Sequence, residues 1–233
     1  MPLPMVHLSI AKNTLDAGYE FRNLPQFYLG SISPDAIHMR ENSNILDTLN
    51  LESGKYILVS AHREENIDNE KNFMSLMNAI NNIAEKYQLP VIYSTHPRSM
   101  KFIEKRNFQF HQLIRNLKPF GFIDYNKLQK NAFCVLSDSG TLSEESAILN
   151  FPAVLIRTST ERPEVLDKGT IVIGGINEND ITQSIELTRT MFENSDLGRI
   201  GNDYEDGNVS VKVIKIIQSY TKIVNDVVWG NKC

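Results

Sequence analysis

An α/β fold built on a doubly wound parallel sheet is what the sequence predicts, and three observations predict it. From residue 55 onward, short apolar runs rich in β-branched residues alternate with longer segments of helical period, the pattern of a parallel sheet covered on both faces by helices. Between the first two runs, Phe73, Met77, Ile80, Ala84 and Tyr87 recur at helical spacing, which gives one buried stripe. Four of the apolar runs end in polar loops, and in such sheets ligands sit outside the carboxyl ends of the strands.

Taken in order, the runs place strands at residues 56–60, 91–95, 113–117, 133–137, 153–156 and 170–173. Helices follow at 122–130, 142–149, 180–192 and 209–224, the last with Val209, Val213, Ile217, Tyr220 and Val224 on one face. Residues 1–50 read differently: a short helix at 9–17, a Gly18-Tyr19 stop, a strand at 26–29, then Gly30-Ser31 and a helix from Pro34. One strand and two helices cannot bury a core of their own, so this segment must pack on the main domain or on a partner chain. The expected division is therefore a remnant of a first α/β unit with its linker at 1–50, and one main domain at 51–233.

Composition narrows the function. A chain of 233 residues, 41% hydrophobic and 22% charged, is ordinary globular material. Its net charge of -4 and lack of a Lys/Arg cluster leave no electrostatic footprint for nucleic acid or a membrane surface. No apolar run reaches the roughly 20 residues that span a bilayer, and Met1-Pro2-Leu3-Pro4 lacks a signal-peptide pattern; a cytoplasmic protein is expected. Two cysteines, Cys134 and Cys233, and five scattered histidines supply neither a disulfide framework nor a metal site. Cys134, inside an apolar run, reads as core.

The polar loops carry the candidate chemistry. After the first strand, Ser60-Ala61-His62-Arg63-Glu64-Glu65-Asn66 can aim His62 and Arg63 at a phosphate, with Glu64 or Glu65 orienting the arginine; a solvated strand-end loop has the same letters. After the second, Thr95-His96-Pro97-Arg98 repeats the His/Arg pairing and puts Pro97 where a helix begins. There the competing reading is that His96 caps or packs and Arg98 faces solvent. After the fourth, Ser137-Asp138-Ser139-Gly140-Thr141 opens a helix with small residues, and Glu144-Glu145 follow. Free N–H groups and the helix dipole make such a turn a diphosphate cradle, with Glu145 within reach of a sugar hydroxyl. Alternatively Asp138 or Ser139 is simply an N-cap. After the fifth, Arg157-Thr158-Ser159-Thr160-Glu161-Arg162-Pro163-Glu164 fits phosphate contacts or a surface salt-bridge array. Together the four loops favour a nucleotide-type ligand.

Three of these motifs in register, His62-Arg63-Glu64-Glu65-Asn66, Asp138-Ser139-Gly140 with Glu144-Glu145, and Glu161-Arg162-Pro163-Glu164, resemble the non-hydrolysing UDP-N-acetylglucosamine 2-epimerases. Thr95-His96-Pro97-Arg98 is similar to the capsule-type branch, which implies a role in capsule or surface polysaccharide precursors. The resemblance implies two Rossmann-like domains of GT-B type with the substrate in the cleft, this chain being the second domain. It implies that Ser139 and Gly140 hold the diphosphate, Glu145 the ribose and Tyr125 the uracil, that Arg63 joins the UDP site, and that His62 and Arg162 face the reacting sugar and phosphates.

The implied reaction removes the C2 proton, eliminates UDP and re-adds it with C2 inverted, without a redox cofactor. The family's proton-transfer carboxylates belong to the first domain, of which residues 1–50 resemble only the end, so a separately encoded amino-terminal half is an implied partner, as is a second copy in a homodimer. Thr141 and Ser143 stand where a second glycine and a glutamine are common. The other readings are a GT-B glycosyltransferase donor domain and a non-catalytic UDP-sugar-binding fragment.

Overall fold

The computed structural model describes residues 43–158, 169, 171–196 and 209–230. Contacts divide the chain into two compact units, one of residues 40–201 and one of residues 1–39 with 202–233. The elements expected within residues 1–42 lie outside the described residues, as does Arg162 with its neighbours Glu161, Pro163 and Glu164.

In the larger unit six strands, β1 (Ile57–Ser60), β2 (Val91–Ser94), β3 (Ile114–Leu117), β4 (Cys134–Ser137), β5 (Ala153–Leu155) and β6 (Val172–Ile173), form one sheet in the order β3-β2-β1-β4-β5-β6. Every pairing is parallel, with Ile57 opposite both Val91 and Cys134. That is the expected doubly wound α/β sheet. The strand order reverses between β1 and β4, and the crevice at such a switch point is where these folds take ligands.

The helices are α1 (Ile45–Thr48), α2 (Glu64–Ile67), α3 (Glu70–Tyr87), α4 (Pro97–Lys105), α5 (Phe122–Asn131), α6 (Leu142–Leu149) and α7 (Glu178–Glu193). The anticipated stripe drives α3 onto the sheet: Phe73, Met77 and Ala84 are fully buried and Ile80 almost so. Asn69 caps its start by accepting from Lys71 and Asn72 N–H at 3.0 and 3.2 Å, and Gln88, left-handed at φ 51°, ends it. Cys134 is buried in the core cluster. Gly174, after β6, is a tight point: a Cβ there would meet Val154 Cγ1 at 2.5 Å.

Three short or polar helices escape the periodicity. α1 and α2 have four residues each, one turn, in which no repeat can register. α4, anticipated only as the turn that Pro97 opens, runs nine residues and buries just Ser99 and Ile103. In the second unit α8 (Val209–Ile223) passes into a π-helical turn at Val224–Val228; Val213, Ile217 and Tyr220, read as one face, are 47, 60 and 57% exposed. Among the described residues no helix is long and apolar enough to cross a membrane.

Candidate functional site

The loops after β1, β2 and β4 meet at the switch point, and one carboxylate holds two of them together. Asp138, directly after β4, is completely buried. Its Oδ2 accepts from His62 N–H at 2.9 Å, Arg63 N–H at 2.9 Å and Asn66 Nδ2 at 3.1 Å. Its Oδ1 lies 3.2 Å from His62 Nδ1, and its backbone carbonyl accepts from Arg63 Nε at 3.0 Å. The same Asn66 amide donates to the Ile156 carbonyl at 3.1 Å, so the ends of β1, β4 and β5 form one hydrogen-bonded unit. Backbone bonds reinforce it, Asp138 N–H to the Ser60 carbonyl at 3.2 Å and Ile156 N–H to the Ser137 carbonyl at 3.0 Å.

From the other side, Tyr93 O–H and Ser99 O–H donate to the Ala61 carbonyl at 3.2 and 2.7 Å. The β1 loop is therefore fixed from β2, β4 and β5 at once, and its side chains are placed by buried groups. His62 is half-buried; the hydrogen bond to Asp138 raises its pKa above 6.5, against desolvation and the Arg63 charge. Its ring is 5.7 Å from that of His96. With Arg63, Glu64, Glu65, His96 and Arg98 it lines a cleft of about 440 Å³.

The β2 loop is held differently. His96 is the N-cap of α4, its Nδ1 accepting from Arg98 N–H at 3.2 Å, so the capping reading of this histidine holds while its ring still lines the cleft. Arg98 is bound by Asp68 at 3.0 Å and Glu64 at 2.7 Å.

The diphosphate-cradle stretch behaves as a turn into α6, with Thr141 at the N-cap position and no side-chain cap bond. The N-cap reading of Asp138 and Ser139 does not hold, because Asp138 reaches back across the switch point to the β1 loop. Ser139 and Gly140 are half-buried; Ser139 N–H donates to Ser137 Oγ at 3.1 Å, and its hydroxyl lies 3.0 Å from that of Thr141.

One turn into α6, Glu145 accepts from Gln129 Nε2 of α5 at 2.6 Å. Burial pushes its carboxyl above the usual range, while its bonds to Gln129 and Thr141 pull the other way. Tyr125, one turn before Gln129 on α5, has its phenol pushed up by burial and by Glu145, while the nearby Ser60 and Ser137 pull the other way. Tyr125, Ser139, Gly140 and Glu145 are thus assembled on the β4 side of the crevice and His62 and Arg63 on the β1 side.

Two sequence expectations change. Glu64 and Glu65, read as orienting Arg63, reach Arg98 and Arg157 respectively, the latter at 3.7 Å; the Asp138 carbonyl is a contact orienting Arg63. Arg157 is 2% exposed, so for this residue the surface salt-bridge reading fails. Asp138 and Asn66 are the residues whose roles sequence reasoning missed. Their positions directly after β4 and at the sixth residue after β1 were the available signal.

Comparison with known proteins gives one consistent result. The profile of the family described as UDP-N-acetylglucosamine 2-epimerase matches residues 24–218. A UDP-N-acetylglucosamine 2-epimerase of Methanococcus maripaludis is 34% identical over 167 residues, 70% of this chain and 44% of that protein. In structure, the chain resembles the UDP-N-acetylglucosamine 2-epimerase of Rickettsia bellii (TM-score 0.66, 34% identity, 89% of this chain and 54% of that one). It also resembles the Methanocaldococcus jannaschii enzyme in complex with UDP-GlcNAc and UDP (TM-score 0.65, 26% identity, 79% and 52%). The chain spans about half the length of the curated relatives it matches.

Proposed function

The chain belongs to the UDP-N-acetylglucosamine 2-epimerase family, and from that premise we propose that it supplies the UDP-binding half of an enzyme inverting C2 of a UDP-N-acetylamino sugar by elimination and re-addition of UDP. The observation that carries this is the switch-point crevice between β1 and β4, where Asp138 holds His62 and Arg63 opposite the Ser139-Gly140 turn. In this reading the turn and the start of α6 receive the diphosphate, whose charge suits free N–H groups and the helix dipole. Glu145, steadied by Gln129, takes a ribose hydroxyl, and Tyr125 packs near the uracil. Arg63 adds to the phosphate contacts, and His62 and Arg162 face the reacting sugar and the departing phosphate.

Departure of UDP places negative charge on the diphosphate, and donors fixed in advance stabilise that charge without reorganising. The β1 loop is fixed in this way by Asp138, Asn66, Tyr93 and Ser99. Removal of the weakly acidic C2 proton also needs a positioned base. We assign that base to sequence outside residues 51–233, the proposed UDP-binding domain, residues 1–50 being the tail of a preceding one. The Methanocaldococcus jannaschii relative solved with UDP-GlcNAc and UDP supports the ligand class.

Calorimetric titration of the chain with UDP and with UDP-N-acetylglucosamine, run beside a deuterium-exchange assay at sugar C2, tests the proposal. Binding without exchange is expected. Exchange by the chain alone would move the base inside it, and absence of UDP binding would overturn the proposal. Glu145→Ala should weaken UDP by about 1–3 kcal/mol through loss of a charge-assisted contact, and unchanged affinity would remove Glu145 from the site.

A further inference from the structure

The hydrogen bonds around Asp138 do two separable things. Three of them, from His62 N–H, Arg63 N–H and Asn66 Nδ2, hold the loop. The other carboxylate oxygen, Oδ1, also accepts from His62 N–H, at 3.1 Å, and lies 3.2 Å from His62 Nδ1, and that ion-pair contact bears on which imidazole nitrogen carries the proton. A carboxylate only accepts, so Nδ1 must be the donor, which leaves Nε2 for whatever occupies the crevice.

We propose that Asp138 is a positioning residue for His62, keeping a proton on Nδ1 and turning Nε2 to the crevice between β1 and β4, where the doubly protonated ring donates from Nε2 to a phosphate oxygen. This rests on the UDP-binding reading above. Asp138 is completely buried while the His62 side chain is 41% exposed, so the anchor is screened from water and the working nitrogen is open to ligand. The same carboxylate stabilises the doubly protonated ring, in which Nε2 becomes a charged donor to the diphosphate. The direction of the His62 shift agrees, its largest cause being the Asp138 hydrogen bond.

Among the described residues, the other charges near the ring are already engaged or lie across the cleft. Arg63 is tied to the Asp138 carbonyl and opposes protonation. On the β2 side, Arg98 is neutralised by Glu64 and Asp68, and the His96 ring lies 5.7 Å away. Glu65, at the cleft wall, is drawn to Arg157. Among the described residues, Asp138 is thus the carboxylate in direct contact with His62.

Asp138→Asn tests this, since the amide oxygen still accepts from the loop N–H groups but no longer supports a charged imidazole. In the 15N-histidine-labelled chain, long-range 1H–15N spectra should show neutral His62 protonated on Nδ1. In Asp138→Asn the titration midpoint of His62 should fall, and UDP affinity near neutral pH should fall about tenfold, with the loss shrinking at lower pH as the variant's ring protonates. A folded variant with an unchanged midpoint, or an Nε2–H tautomer in the wild-type chain, would overturn the proposal. Should Asp138→Asn fail to fold, the wild-type tautomer decides. If the wild-type chain binds no UDP at any pH, the functional reading fails, and the tautomer and midpoint still report whether Asp138 governs His62.

Discussion

His62 and His96 occupy neighbouring strand-end loops with rings 5.7 Å apart, yet the two loops are built on different physics. The β1 loop is anchored by a completely buried carboxylate that accepts from three N–H groups and contacts the imidazole. The β2 loop is anchored by a helix cap and by ion pairs from Arg98 to Glu64 and Asp68, whose side chains are 76 and 41% exposed. A buried anion holds its geometry because every alternative leaves donors unsatisfied in a low-dielectric site; an exposed pair has water and salt as ready substitutes. The β1 loop is therefore suited to hold a donor in one position, and the β2 loop to let its side chains rearrange.

The comparison predicts its largest difference for Asp138→Ala. Removing the carboxylate strands His62 N–H, Arg63 N–H and Asn66 Nδ2 together, and breaking a buried charged network from one side costs about 3–5 kcal/mol. Against the ordinary stability of a domain, about 5–15 kcal/mol, that is a major loss. Urea denaturation should show it as a much lower midpoint. A change of less than about 1 kcal/mol would mean that the β1 loop is held no more firmly than a surface loop.

A smaller effect should appear with pH. The folded His62 is raised above its ordinary value of 6.5 by the Asp138 hydrogen bond, so the folded state binds its proton more tightly than the unfolded state does. The stabilisation is fully present below 6.5 and is lost as pH rises through the higher folded value. Glu145, also shifted upward, subtracts out when wild type and His62→Gln are compared at each pH. The stability difference between them should therefore narrow with rising pH through that window; a constant difference would show that the imidazole charge is not coupled to Asp138.

Much of this arrangement was legible in the sequence, and the part that was not has a definite cause. All six strands appear where the apolar runs placed them, and α6 begins at Leu142 and ends at Leu149 as read, because parallel strands and amphipathic helices leave periodic traces. The polar loops were also found, since strand ends at a switch point are recognisable once strands are known. What the letters withheld was direction. Asp138 is adjacent to a helix start, where an acidic residue ordinarily caps, and nothing local indicates that it turns instead to Asn66, 72 residues earlier. The buried state of Arg157 was hidden for the same reason, because a strand-end arginine next to hydroxyl residues has the composition of a surface. Residue type identified the chemistry available at each loop, while long-range pairing decided which groups use it.

The smallest effect should come from Arg98→Ala. The change removes both exposed ion pairs of the β2 loop, but the cap from His96 Nδ1 to the backbone N–H of residue 98 does not need the arginine side chain and survives. Glu64 and Asp68 are exposed enough to rehydrate, so no buried charge is left behind and the urea midpoint should move little. Salt gives the sharper readout: added salt screens exposed pairs within a Debye length of about 8–10 Å, so the wild type should converge on Arg98→Ala as ionic strength rises, while the gap between wild type and Asp138→Ala should persist. If salt closed both gaps equally, the buried carboxylate would be behaving as a surface charge, and the contrast between the two histidine loops would disappear.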